Sequence, residues 1–205
     1  MKQILFVDAC MRGPELSRTS RLCRSFLEEF TARCPDSQVS RRDLTDAKLP
    51  LLTGELAAQR DAWVKQGEEH PLLAPAREVA ACDLLVIGAP YWDLSFPAAL
   101  KGYLEWSSVL GITFRYAEDG RQVGLCRARA LVYLTTAGGP VTGQNYGFDY
   151  LKALGAMFGI PHAYCVAAEG LDIQGTDVQA VLRRAGDRAA SLARQLAQEP
   201  MCLHG

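Results

Sequence analysis

Four short, mostly apolar runs recur along this chain: 3-QILFVD-8, 83-DLLVIG-88, 128-ARALVYLTT-136 and 162-HAYCVAA-168. Continuous apolar character over so few residues suits strands buried on both faces. The stretches between them carry the other period. In 18-RTSRLCRSFLEEF-30, Leu22, Phe26 and Phe30 lie four apart, and Cys23 and Leu27 widen the stripe into one apolar helix face. Further helices are predicted over 55-ELAAQRDAWVKQ-66, around Ala74 to Ala81, from Pro97 to about Val109, over 149-DYLKALGAMFG-159, and from about Thr176 to Gln198. Strands that alternate with helices form βαβ units, which cross over right-handed and build a parallel sheet. A weaker, polar run, 37-SQVSRRDL-44, suits an edge strand of that sheet. Asp119-Gly120, between two alternating runs in 112-ITFRYAEDGRQVGLC-126, predicts a small hairpin insertion. The expected fold class is α/β, with a doubly wound five-stranded parallel sheet.

Two strand orders are common for such a sheet. The dinucleotide-binding order normally carries G-x-G-x-x-G after the first strand. This chain has 9-ACMRGPELSRTS-20 there, with a single glycine, which favours the flavodoxin-like order 2-1-3-4-5. With no repeat, linker or low-complexity segment, residues 1–205 read as a single domain.

Composition removes several functional classes. The net charge of -1 gives no electrostatic reason to bind nucleic acid or an anionic membrane. The apolar runs are too short to span a bilayer, and Asp8 interrupts the first of them, so the N-terminus reads as a strand and not a signal peptide. Seven cysteines at wide spacings, with no C-x-x-C, argue for reduced thiols in a cytoplasmic protein. The scattered His70, His162 and His204 argue against a metal site.

In an open α/β sheet, ligands bind beyond the carboxyl ends of the strands, at the point where the strand order reverses. Three unusual loops fall there. The first ends in 17-SRTS-20 and opens a helix. Ser17, Arg18 and Thr19, with Arg12, offer hydroxyls, charge and unpaired helix N–H groups to a phosphate; the plain alternative is that Ser17 is an ordinary N-cap. Cys10 lies at the end of the first strand and is expected to line the same turn. The second loop, 88-GAPYWDLSFP-97, places Tyr91 and Trp92 side by side where a flat aromatic ligand would lie. The third, 135-TTAGG-139, brings two glycines to a strand end, where backbone can approach a ligand closely. Neither G-x-S-x-G nor a nucleophile with an obvious histidine partner occurs. Together the loops suggest a planar, phosphate-bearing cofactor.

These residues resemble the flavodoxin-like NAD(P)H-dependent oxidoreductases, the group of FMN-dependent azoreductases and NAD(P)H quinone reductases. The resemblance rests on 89-APYWDLSFPAALKGYLEWSSVLGITFRYAEDGRQVGL-125, 135-TTAGG-139 and 150-YLKALGAMFGI-160, followed by 168-AEG-170. It implies FMN as cofactor, with FAD as the other possibility, and NADH or NADPH as electron donor. Ser17, Arg18 and Thr19 match the segment that holds the FMN phosphate. Pro90, Tyr91, Trp92, Asp93 and Leu94 match the turn along the isoalloxazine edge, where a backbone N–H meets flavin N5. Thr136, Ala137, Gly138 and Gly139 match the loop at the pyrimidine end. Phe114, Tyr116 and Tyr146 are the expected stacking partners for nicotinamide or acceptor, some of them from a second subunit of a homodimer. Asp93 stands where the azoreductase branch tends to have Asn, and Ala137 where it has Arg. The resemblance implies no protein acid or base, since the flavin carries the chemistry. The expected activity is two-electron, ping-pong reduction of quinones or related small-molecule acceptors such as azo compounds. A flavodoxin-type electron carrier and a flavin reductase supplying reduced FMN are the rival readings.

Overall fold

The structure, a computed structural model, describes residues 1–46, 48–141, 143 and 145–198. Five strands, β1 (Gln3–Asp8), β2 (Gln38–Asp43), β3 (Leu84–Gly88), β6 (Ala130–Thr136) and β7 (His162–Ala168), pair in parallel in the order β2-β1-β3-β6-β7. With the separate antiparallel hairpin of β4 (Phe114–Tyr116) and β5 (Gln122–Gly124) set aside, this is the expected order 2-1-3-4-5. The three inner strands are buried along almost their whole length, whereas β2 is largely exposed, as its polar sequence requires of an edge.

The pleat sends alternate residues to opposite faces. Ile4 and Phe6 of β1 pack with Leu22, Phe26 and Phe30 of α2 (Arg18–Arg33) and with Ala185, Ala189 and Ala193 of α7 (Val178–Gln198). Leu5 and Val7 pack on the other face, with α4 (Ala74–Ala81), α5 (Ala98–Ser107) and α6 (Tyr146–Met157). One strand thus feeds two cores, and each fully buried aliphatic side chain contributes about 1.5–3 kcal/mol. The alanines of α7 let it approach α2 closely.

Local chemistry sets most element ends. Thr53 caps α3 (Gly54–Gln66), its hydroxyl accepting from Leu56 N, and Gly67 closes it in the left-handed conformation at φ 67°. Three boundaries differ from expectation. The sixth helix starts at Tyr146 and not Asp149, because the Asn145 side chain accepts from Phe148 N at 2.9 Å. The last begins at Val178, where Asp177 accepts from Ala180 N. Pro97 precedes α5 as its N-cap and does not occupy its first turn. A short helix, α1 (Gly13–Leu16), was not expected; Gly13 enters it at φ 77°, with Pro14 fixing the next residue. Cys10, Cys23, Cys34, Cys82, Cys126 and Cys165 are free thiols. Cys202 and His204, together with Thr142 and Gln144 of the glycine-rich loop, lie outside the described residues.

Candidate functional site

Parallel register brings the carboxyl ends of the strands to one edge. Asp8 pairs with Gly88, Gly88 with Leu134, and Thr136 with Ala168. The loops that leave these ends border an open cleft of about 140 Å³. Arg12, Ser17, Arg18 and Thr19 line it from the first loop, Pro90, Tyr91 and Trp92 from the second, and Thr136, Ala137 and Gly138 from the third. Sequence reasoning had placed all ten at one site.

Cross-links between the loops hold this arrangement. Thr19 Oγ1 and Thr136 Oγ1 share a buried hydrogen bond of 2.6 Å. Tyr91 N donates to Thr136 O at 2.9 Å, tying the second loop to the third. Ser17 is nearly buried and its hydroxyl accepts from Ser20 N at 3.1 Å, so the capping role foreseen for it is real. That bond leaves the backbone N–H groups of Arg18 and Thr19, in the first turn of α2, without a hydrogen bond among the described residues.

The second loop ends in a tight turn. Trp92 N donates to Ser95 O at 3.2 Å and Ser95 N returns to Trp92 O at 2.8 Å. The two residues between them, Asp93 and Leu94, have φ of 50° and 66°. Left-handed backbone costs a non-glycine residue about 1–2 kcal/mol, and strain of this kind gathers at functional sites. Pro90 has no N–H, and those of Tyr91 and Trp92 are engaged. Asp93 and Leu94 therefore carry the turn's N–H groups that have no hydrogen bond among the described residues. The third loop repeats the pattern: Gly138 O and Gly139 O accept from Asp172 N and Gly170 N, while the N–H groups of Gly138 and Gly139 have no hydrogen bond among the described residues. A side chain at Gly139 would meet nothing within 4 Å, so the backbone there faces open space.

Not every expected residue lines the cleft: Asp93, Leu94 and Gly139 lie in its second and third loops but are not among the lining residues. Cys10 is buried beneath the first turn, its N–H held by Asp8 Oδ1 and its thiol 3.7 Å from Gly88 O. It supports the turn from below. Phe114 and Tyr116 sit on the hairpin, edge to face at 5.9 Å, with Phe114 packed against the second core and Tyr116 exposed. Tyr146 opens α6, also exposed. Burial, and then the neighbouring Tyr146 hydroxyl, push the Tyr91 phenol above its usual range, which places Tyr146 beside the second loop.

Four lining residues escaped sequence reasoning: Met11, Leu16, Leu171 and Asp172. The last two come from the loop after β7, where Leu171 N bonds Ala137 O at 3.1 Å and Asp172 N bonds Gly138 O at 3.0 Å. Asp172 Oδ1 pairs with Arg18 Nη1 at 2.8 Å. The one available signal was position: this loop also leaves a strand at its carboxyl end.

The fold and cleft define an open α/β protein with a cleft at its topological switch point, where ligands of such sheets bind. A family model for the flavodoxin-like fold matches residues 2–192, and the chain belongs to that family. It is 34% identical over 200 residues to FMN-dependent NADH:quinone oxidoreductase 2 of Clostridium acetobutylicum, covering 95% of this chain and 100% of that protein. The FMN-dependent NADH:quinone oxidoreductase of Clostridium beijerinckii is 33% identical, with 95% and 99% covered. Among solved structures, an azoreductase from Bacillus anthracis superposes with a TM-score of 0.83 at 23% identity, covering 95% of this chain and 100% of that one. The NAD(P)H:quinone oxidoreductase from Methanothermobacter marburgensis gives 0.75 at 18%, with 95% and 98% covered. At these identities the solved structures speak to the fold.

Proposed function

We propose that this chain is an FMN-dependent NAD(P)H oxidoreductase that reduces quinones or related small-molecule acceptors, azo compounds among them. One observation carries the reading: the backbone N–H groups of Arg18, Thr19 and Gly138, without a hydrogen bond among the described residues, line one cleft, and those of Asp93, Leu94 and Gly139 belong to the loops that border it. A flavin mononucleotide needs this set, with an anion site at one end and neutral donors along a planar ring. Ser17, Arg18 and Thr19 hold the phosphate, with α2 aiming its N-terminus at it. Asp93 and Leu94 address the ring edge, and Gly138 and Gly139 address the pyrimidine oxygens, where reduction places negative charge. Bound FMN supplies two-electron transfer between a reduced nicotinamide and the acceptor. The relatives named for NADH:quinone oxidoreduction support the same donor and acceptor class.

The chain works as one domain in a cytoplasmic homodimer. Exposed Trp92, Leu94, Tyr116, Tyr146 and Tyr150, of which Trp92 lines the cleft, support apolar surface that a second copy covers, completing the acceptor pocket. No helix among the described residues is long and apolar enough to cross a membrane. The test is a visible spectrum of the purified protein, followed by anaerobic titration with NADH and with NADPH and reoxidation by a quinone. A flavin spectrum bleached by either nicotinamide and restored by quinone is expected. Colourless protein that binds neither FMN nor FAD defeats the reading.

A further inference from the structure

The subsite assigned to phosphate already holds a carboxylate. Asp172 lines the cleft beside the first turn of α2, and its Oδ1 meets Arg18 Nη1 at 2.8 Å. The backbone fixes this position more than the side chain does. Gly170, Leu171 and Asp172 donate their N–H groups in turn to Gly139, Ala137 and Gly138, clamping the last loop against the third. The carboxylate then rests on Gly138: a Cβ there would overlap Asp172 Oδ2 and approach its Cβ to 3.2 Å. The positive end of α2 attracts any anion at this spot, whether it belongs to a ligand or to the chain. A carboxylate within reach of Arg18 both occupies that guanidinium and repels an incoming phosphate.

We propose that Asp172 is an internal competitor for the phosphate subsite, pairing with Arg18 when the cleft is open and weakening the hold on the cofactor phosphate when it is filled. This rests on the flavin reading above and deepens it: the chain binds FMN less tightly than its donor set alone allows, in a form suited to exchange. The contribution is modest, because Arg18 and Asp172 are 41% and 70% exposed and water screens the pair.

The test measures flavin dissociation constants by fluorescence quenching on the full chain freed of bound flavin. Riboflavin, which lacks the phosphate, is the control ligand. Asp172→Asn keeps the shape and removes the charge; circular dichroism confirms that the variants fold. The expected result is a dissociation constant for FMN lowered roughly twofold to fivefold, with riboflavin unchanged. In an Arg18→Gln background the same substitution gains less, since the contested guanidinium is gone. An FMN constant that stays the same or rises in Asp172→Asn overturns the proposal; so does equal tightening of riboflavin, which assigns Asp172 to the ring or ribityl chain. If wild type and variants bind neither flavin, the FMN reading itself fails and the competitor role falls with it.

Discussion

Replacing Gly88 with alanine tests how the first core supports the cleft. Gly88 ends β3, between β1 and β6, and its φ lies outside the left-handed region, so alanine is conformationally permitted. The obstacle is steric. An added Cβ would overlap Cys23 Sγ and stand 3.2 Å from Phe6 Cε2 and 3.5 Å from Cys10 Sγ. Cys23 lies on α2, about one turn past Thr19, so relief requires the helix to move outward. Overpacking of this kind costs roughly 1–3 kcal/mol. With a urea slope of about 2 kcal/mol/M, the unfolding midpoint falls by roughly 0.5–1.5 M. Cys23→Ala alone also destabilises, by about 1–2 kcal/mol, because it leaves a small cavity. Combined, the two substitutions exchange volume across one contact, so the double variant is more stable than the sum of the single losses by about 1 kcal/mol or more. FMN affinity follows the same pattern, since displacing α2 moves Arg18 and Thr19. Urea unfolding of the four proteins, read by circular dichroism and by tryptophan fluorescence, provides the cycle. Strict additivity would show that Gly88 and Cys23 do not share the space described, and would refute the argument.

Three further outcomes follow from the geometry. Thr19→Val leaves the Thr136 hydroxyl buried without its 2.6 Å partner; stability falls by about 1–3 kcal/mol, and adding Thr136→Val recovers much of it in thermal melts. Burial pushes the thiols of Cys126 and Cys165 up to about 12, so both resist iodoacetamide at pH 8 in the folded chain and react in urea. Because the folded values lie above the unfolded one of about 8.5, this stabilisation is complete below pH 8.5 and is lost progressively as pH rises towards 12, which unfolding titrations across that range will detect. Asp43 behaves oppositely: hydrogen bonds from Thr45, and then the Arg41 guanidinium, hold its carboxyl below the usual range. Its contribution is present above about pH 3.9 and disappears as pH falls through the folded value, so Asp43→Asn flattens the acid limb of the pH–stability curve.

Much of the fold was legible locally. The strands β1, β3 and β6 announce themselves as short apolar runs because each is covered on both faces, and β2 announces itself as an edge by its polarity. The first two site loops were legible for a related reason. Their marks are patterns of near neighbours: small hydroxyl residues at a helix start, as at Ser17 and Thr19, and adjacent aromatics after a strand end, as at Tyr91 and Trp92. Helix starts were less legible: Asn145 and Asp177 act as caps only because their side chains find particular N–H groups, and neither stands out from its neighbours in sequence.

The sequence by itself determined the layered α/β class, the strand order and the three loops that meet at the switch point, because these depend on periodicity and on residues a few positions apart. Tertiary structure decided which atoms in those loops remain available. The bond between Thr19 and Thr136 spans 117 positions and the pair of Arg18 with Asp172 spans 154. No local pattern encodes such contacts. Only the parallel register of the sheet, which stacks the carboxyl ends of five strands at one edge, brings an aspartate from the last of these loops against the arginine that opens the first long helix.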